Sequence, residues 1–166
     1  MTKSVWLLDV NVLIAMTHDH HLHHAQALTW FEAVSKRRWA TCALTQLAFI
    51  RLACHPRISA NARGAAEVMQ GLEDLVSHPQ HEYWDESPAP CSTSTLTHPA
   101  FVGHRQVTDL YLLEVAVQRG QILATMDRGI VSFAAAAGMD AHVELVGGTL
   151  SAQEPRPRYA ARRARA

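Results

Sequence analysis

Val5-Trp6-Leu7-Leu8-Asp9-Val10-Asn11-Val12-Leu13-Ile14-Ala15-Met16 is the stretch on which the fold turns. Its opening apolar run is short enough for a buried strand, and from Asn11 to Met16 the pattern becomes that of a short helix with Asp9 at its start. A histidine-dense segment follows. Residues 23–36 then carry Ala27, Leu28, Trp30, Phe31 and Val34 at helical spacing, with Lys36, Arg37 and Arg38 at the C-terminal end that favours cations.

The alternation continues along the chain. Residues 39–43 predict a second strand, residues 45–54 a helix stopped by His55-Pro56, and residues 62–76 a helix with Ala65, Val68, Met69, Leu72 and Leu75 on one stripe. A short strand is expected at 82–84, and the turn-rich residues 86–95 form the one long loop. Helix 108–119 stops at Gly120, strand 122–125 follows, an alanine-rich helix at 130–137 stops at Gly138, and a last strand occupies 142–146. Strands alternating with helices predict an α/β fold with a mostly parallel, doubly wound sheet.

With 166 residues, 48% of them hydrophobic, the chain fits one globular domain, expected at residues 1–146. The formal net charge is zero, but Arg156, Arg158, Arg162, Arg163 and Arg165 crowd the end, so residues 147–166 are expected to be a basic, disordered tail. Cys42, Cys54 and Cys91 are odd in number and widely spaced without a C-x-x-C, which excludes a disulfide framework and a zinc knuckle and fits a reducing cytoplasm. Asp9 comes too early for a secretory h-region and no apolar run reaches the ~18 residues of a membrane span, so a cytoplasmic protein without a membrane partner is expected.

Asp9, Asp109 and Asp127 carry the chemistry. Asp9 follows the first strand, Asp109 follows the strand-like run Gly103-His104-Arg105-Gln106-Val107-Thr108, and Asp127 follows Ile122-Leu123-Ala124-Thr125-Met126. Taken singly, each has a plain structural reading: Asp9 as a helix cap, Asp109 as a first-turn acid behind a Thr108 cap, Asp127 as a turn former. Jointly they stand where the carboxyl ends of parallel strands converge on one crevice, and mutual repulsion there is tolerable only with a cation bound. Mg²⁺ or Mn²⁺ in such a pocket lowers the pKa of a bound water and offsets charge on a phosphodiester.

The blocks Leu7 to Ala15, Gly103 to Asp109 and Leu123-Ala124-Thr125-Met126-Asp127-Arg128-Gly129 together resemble the PIN domain, and closely the VapC toxins of bacterial toxin–antitoxin pairs, over roughly residues 4 to 146 in order and spacing. The resemblance implies a three-layer α/β/α fold and Mg²⁺- or Mn²⁺-dependent endonucleolytic cleavage of RNA. It implies Asp9 and Asp109 as main metal ligands, Asp127 completing the pocket directly or through water, and Asn11 and Thr125 orienting ligands or water. It also implies a homodimer and a cognate antitoxin that presents a basic side chain to the pocket. One position departs: where the family usually has a glutamate, the segment Leu44-Thr45-Gln46-Leu47-Ala48-Phe49-Ile50-Arg51 offers Gln46, which supplies no negative charge and cannot act as a base. Glu114, five residues beyond Asp109, points away from the pocket on a helix and is not its substitute.

Arg105 and Arg128 adjoin the acids and are candidates for gripping substrate phosphates, against the alternative of balancing a carboxylate. His18, His20, His21, His23 and His24 suit a transition metal by chemistry, but a solvated surface is the favoured reading because adjacent loop histidines lack ligand geometry. Trp30, Phe31 and Trp39 read as core or dimer surface. A metal-dependent ribonuclease is the leading function; a catalytically weak PIN-like module that binds RNA or its antitoxin is the alternative, motivated by Gln46. A phosphoacceptor receiver or aspartyl phosphatase fits poorly, because the only lysines are Lys3 and Lys36 and Asn11 stands where a phosphatase wants a second aspartate.

Overall fold

Val5–Leu8 forms the central strand, β1, of a five-stranded sheet. The computed structural model describes residues 4–56, 64–85 and 87–147. In chain order the elements are β1, α1 (Val10–Thr17), α2 (His24–Val34), β2 (Arg38–Cys42), α3 (Ala43–Ala53), α4 (Ala65–Val76), β3 (His81–Trp84), α5 (Val107–Gln118), β4 (Ile122–Thr125), α6 (Arg128–Ala136) and β5 (Val143–Leu145). The expected basic tail, from residue 148 on, lies outside the described residues, as do the first residues of the helix expected at 62.

The strand order is β3-β2-β1-β4-β5 and every pairing is parallel, where a mostly parallel sheet was expected. From β1 the chain winds outward to β2 and β3 on one side, then crosses back to β4 and β5 on the other. The order reverses between β1 and β4, and a crevice opens at the carboxyl ends of the strands where such a reversal occurs.

All four residues of β1 are buried, as a strand covered on both faces requires. Trp6 and Leu8 pack with α1 to α4 around Trp39, Phe49 and Leu72, while Val5 and Leu7 pack with Leu110, Leu113, Ile130 and Phe133 of α5 and α6. The side-chain period of a strand thus feeds two cores, one on each side of the sheet, and the three-layer α/β/α expectation holds. Gly120 (φ 62°) and Gly138 (φ 68°) take the left-handed conformation just past α5 and α6, the role that made them legible as stops.

Two polar features brace these layers. Glu144 on β5 accepts from the indole N–H of Trp6 and of Trp30, both at 2.6 Å, tying the edge strand to β1 and α2. Trp39 is fully buried against Phe31, with ring centroids 5.2 Å apart and nearly perpendicular, so this pair belongs to the core. The histidine tract serves the end of α1: the His24 ring donates to the Ala15 carbonyl at 2.7 Å and His18 Nδ1 lies 3.2 Å from the Ile14 carbonyl.

One segment departs from its expected form. Residues 103–108 are no strand; His104–Gln106 make a 3-10 turn and α5 begins at Val107, with Gln106 at its N-cap and no side-chain cap, so Thr108 lies inside the first turn. Asp109 lies in the first turn of that helix, as the helix expected at 108–119 has it, but no strand leads directly into it.

Candidate active site

Asp9 leaves the carboxyl end of β1 and caps α1. Its Oδ1 accepts from the Val10 amide at 2.6 Å and its Oδ2 from the Thr125 hydroxyl at 2.7 Å. Thr125 ends β4, and its oxygen also accepts from Asn11 Nδ2 at 3.4 Å and from the Asp127 amide at 3.1 Å. A hydroxyl has one proton and two lone pairs, so with both lone pairs engaged the proton goes to Asp9. Asn11 Oδ1 accepts from the Met126 amide at 3.2 Å, which fixes which way its own amide faces. The switch point between β1 and β4 is thereby bolted together by polar contacts that converge on one carboxylate.

Asp127 is exposed at the N-cap of α6, where its Oδ1 accepts from the Gly129 amide at 2.6 Å. A Cβ at position 129 would stand 2.9 Å from that oxygen, so the glycine makes room for the carboxylate. Asp109 lies half-buried in the first turn of α5, and among the described residues its carboxylate accepts no hydrogen bond.

The electrostatics join the three acids. Burial raises the Asp109 carboxyl to about 7, and the charges of Asp9 and Asp127 add to the shift. Burial also raises Asp9; its bonds from Thr125 and Val10 pull the other way, and the Asp127 charge pushes further upward. A solitary helix cap would show none of this mutual repulsion. No lysine or arginine pairs with any of the three among the described residues. Nor do any three histidine, cysteine, aspartate or glutamate side chains there close by themselves into a metal cage. The donors that face the crevice are hard carboxylate oxygens, which suit Mg²⁺ or Mn²⁺, and Mg²⁺ commonly takes only one or two carboxylates and fills its shell with water. The acids fit such an ion as a partly hydrated guest.

The remaining sequence candidates separate. Asn11 and Thr125 lie in the site as described. Gln46, in contrast, donates its amide N–H to Thr41 Oγ1 at 2.8 Å, and Thr41 Oγ1 lies 2.8 Å from His81 Nε2, so the glutamine is engaged with β2 and β3. Arg105 and Arg128 are exposed, the first in the turn before α5 and the second at the first residue of α6, and neither forms an ion pair among the described residues. Glu114 turns away from the crevice, as expected, and is fully buried under the loop: it accepts from the Ser94 amide at 3.0 Å, the Ser94 hydroxyl at 2.8 Å, the Thr95 amide at 2.9 Å and Gln118 Nε2 at 2.9 Å.

Sequence reading missed the Gln46–Thr41–His81 chain and a cavity beside Asp109 walled by Leu44, Leu96 and Tyr111. Thr41 lies five residues from its glutamine partner. The cavity's walls come from three separate segments, and no local pattern announces it.

The pattern of the PIN domain family matches residues 6–137 of the chain. The chain is similar to ribonuclease VapC38 of Mycobacterium tuberculosis, 38% identical over 128 residues that span 77% of this chain and 89% of the relative. It is similar to ribonuclease VapC39 of the same organism, 32% identical over 130 residues, 78% of this chain and 94% of the relative. Among solved structures, its fold is similar to that of VapBC2 from Rickettsia felis, bound to a DNA fragment from their promoter, with a TM-score of 0.56 and 17% identity over 86% of this chain and 98% of that one.

Proposed function

The chain belongs to the PIN domain family, and from that premise we propose that it is the toxin of a type II toxin–antitoxin pair, an endoribonuclease that depends on Mg²⁺ or Mn²⁺. The relatives at 32–38% identity are named ribonucleases of the VapC type, which supports cleavage of RNA as the activity. The observation that carries the metal dependence is the gathering of Asp9, Asp109 and Asp127, with burial and like charge holding one carboxyl near 7 and none of the three in an ion pair with a lysine or arginine among the described residues. A bound divalent ion would supply Lewis acidity toward an attacking water and toward the charge that develops on the phosphodiester.

Each residue has a part in this reading. Asp9 and Asp109 are the main ligands. Thr125 holds the Asp9 carboxylate with one oxygen committed, Asn11 holds Thr125, and Asp127 completes the pocket directly or through water. Arg105 and Arg128 flank the acids and grip phosphates of the strand to either side. A cognate antitoxin silences the site by offering a basic side chain to it, and the active species is a homodimer.

A second reading rests on Gln46. With its amide turned to Thr41 it brings no fourth charge to the crevice, which favours a PIN-like module that binds RNA or antitoxin and cleaves poorly. The purified full-length chain incubated with RNA, with and without Mn²⁺, separates the two. Sequenced products that appear only with the ion support the nuclease; intact RNA at every ion concentration leaves the binding module.

A further inference from the structure

We propose that the cavity beside Asp109 receives one unpaired nucleobase of the RNA strand, next to the phosphodiester that is cut. This rests on the ribonuclease reading above and names where that enzyme reads its substrate. The cavity measures about 540 Å³ and lies between the start of α3, with Ala43 and Leu44, and the start of α5, with Val107 and Tyr111; Pro90 and Leu96 close it from the loop. That volume is within the range of about 300–1,000 Å³ usual for small-molecule sites.

Its chemistry is that of a flat apolar ring with a polar rim. No charged side chain lines it, and its surface is mostly hydrocarbon. Polar groups gather at one edge: Thr108 lines the cavity as an exposed residue and the first turn of α5 carries no side-chain cap. Bases splayed from single-stranded RNA are recognised by this combination of an apolar or aromatic wall with hydrogen bonds at the base edge.

The position along the strand follows from the helix. Thr108 lines the cavity and Asp109, the next residue in the first turn of α5, belongs to the acidic crevice, so the two sites adjoin and a base seated in one leaves its strand to run on toward the other. Exposed Arg105 stands in the turn that leads into α5, three residues before Thr108 and without an ion pair among the described residues. A neutral, apolar cavity adjoining an acidic crevice, with an exposed arginine in the turn before the helix, suits a nucleic acid strand, in which neutral bases alternate with charged phosphates.

The walls are also held open in advance. Glu114 collects its four hydrogen bonds from Ser94, Thr95 and Gln118, fixing the turn that carries Leu96. The Tyr111 hydroxyl donates to the Pro88 carbonyl at 2.8 Å, which sets its ring against the loop. A cavity braced on both flanks does not collapse when empty, and such pre-formation lowers the entropy cost of binding.

The test uses the full-length chain with each of the four nucleoside 5′-monophosphates, and ribose 5-phosphate as the base-free control, followed by NMR. Amide shifts centred on residues 43–44, 96 and 107–111, with affinity about tenfold weaker for the control, are expected from the typical worth of one seated base. Equal binding of the control, or shifts confined elsewhere, overturns the proposal whether or not the protein cuts RNA. In the cleavage assay, abasic replacement at one position adjoining the cut lowers kcat/KM about tenfold, and Ala89→Trp, which fills the cavity from an exposed loop position, removes that penalty. A penalty undiminished in Ala89→Trp overturns it. So does a variant that cleaves normally but escapes its protein inhibitor, since the cavity then belongs to a peptide. Absence of any cleavage alongside base-dependent shifts sinks the ribonuclease reading and leaves the base site standing.

Discussion

Asp109 and Glu114 stand five residues apart on α5 and meet opposite fates. Both are acids taken from solvent by the same helix. Burial raises the Asp109 carboxyl to about 7, the charges of Asp9 and Asp127 push it the same way, and no hydrogen bond among the described residues offsets them. Glu114 is the more deeply buried, yet its bonds from Gln118, Ser94 and Thr95 outweigh the burial and its carboxyl falls below the ordinary value. Burial alone therefore does not tell a working acid from a structural one. What distinguishes them is whether the fold supplies donors: a carboxylate with its donors in place stabilises the loop it holds, and one left among like charges is where the proposed cation would bind.

The largest effect is expected at the unsatisfied acid. Asp109→Asn should lower metal-stimulated RNA cleavage by roughly a hundredfold or more while raising the melting temperature of metal-free protein by about 3–6 °C, through relief of repulsion discounted for its half-exposed position. Added Mn²⁺ should raise the Tm of the wild type and barely move that of the variant. A variant both inactive and less stable would show that Asp109 is an ordinary structural acid.

Glu114→Gln should behave in the reverse sense. Converting the buried carboxylate to an amide weakens charge-assisted bonds from two backbone amides and a serine, which costs about 2–3 kcal/mol and lowers Tm by about 6–10 °C. The Mn²⁺-induced rise in Tm should survive, because the crevice is untouched. Loss of that response would mean the two regions are not separate.

The same pair predicts two opposite pH dependences in chelator-treated protein. The folded-state value of Asp109, about 7, lies above the unfolded 3.8, so folding holds that proton more tightly; its favourable contribution is complete below pH 4 and is lost as pH rises toward 7. The folded value of Glu114 lies below 4.5, so its contribution is complete above about that pH and is lost as acid is added through the folded value. The Tm gap between Asp109→Asn and wild type should widen from pH 4 to 7, while the gap for Glu114→Gln stays level above about pH 5 and narrows as acid is added below it. Parallel gaps would dissolve the distinction.

Much of this contrast could be anticipated from residue order, and the reason for the remainder is physical. β1, β4 and the glycine stops were legible because burial period and left-handed backbone are local demands, and Asp9 and Asp127 inherited their places from those strands. The helix expected at 108–119 is there, but the run before Asp109 misled because Val107 and Thr108 favour strands, whereas a 3-10 turn at His104–Gln106 leads directly into α5 at Val107. That Glu114 points away from the crevice follows from helical geometry, but its partners Ser94 and Thr95 lie in a loop without periodicity. The engagement of Gln46 with Thr41 and His81 is equally tertiary: it depends on the register that sets Trp39 beside His81, which no short window contains.

The smallest effect, and the one that sharpens the contrast furthest, is expected from Gln46→Glu. Gln46 donates to Thr41, which leaves the single Thr41 proton for His81 Nε2; burial lowers the His81 pKa, and in the neutral ring the bond to the Val76 backbone takes the other nitrogen's proton, leaving Nε2 to accept. A carboxylate at position 46 cannot donate, so it competes with His81 for the Thr41 proton and its bonding at β2 weakens. Released toward the crevice, it would add a fourth acid and strengthen Mn²⁺ binding by roughly tenfold or less, with faster cleavage. Calorimetric Mn²⁺ titration together with an NMR titration of His81 reads both ends of the chain. If Mn²⁺ affinity and cleavage stay unchanged while His81 becomes more basic, the new carboxylate has kept its place beside Thr41. Position 46 would then belong with Glu114 among the side chains that hold the fold, and the case for a weakened nuclease would lose its ground.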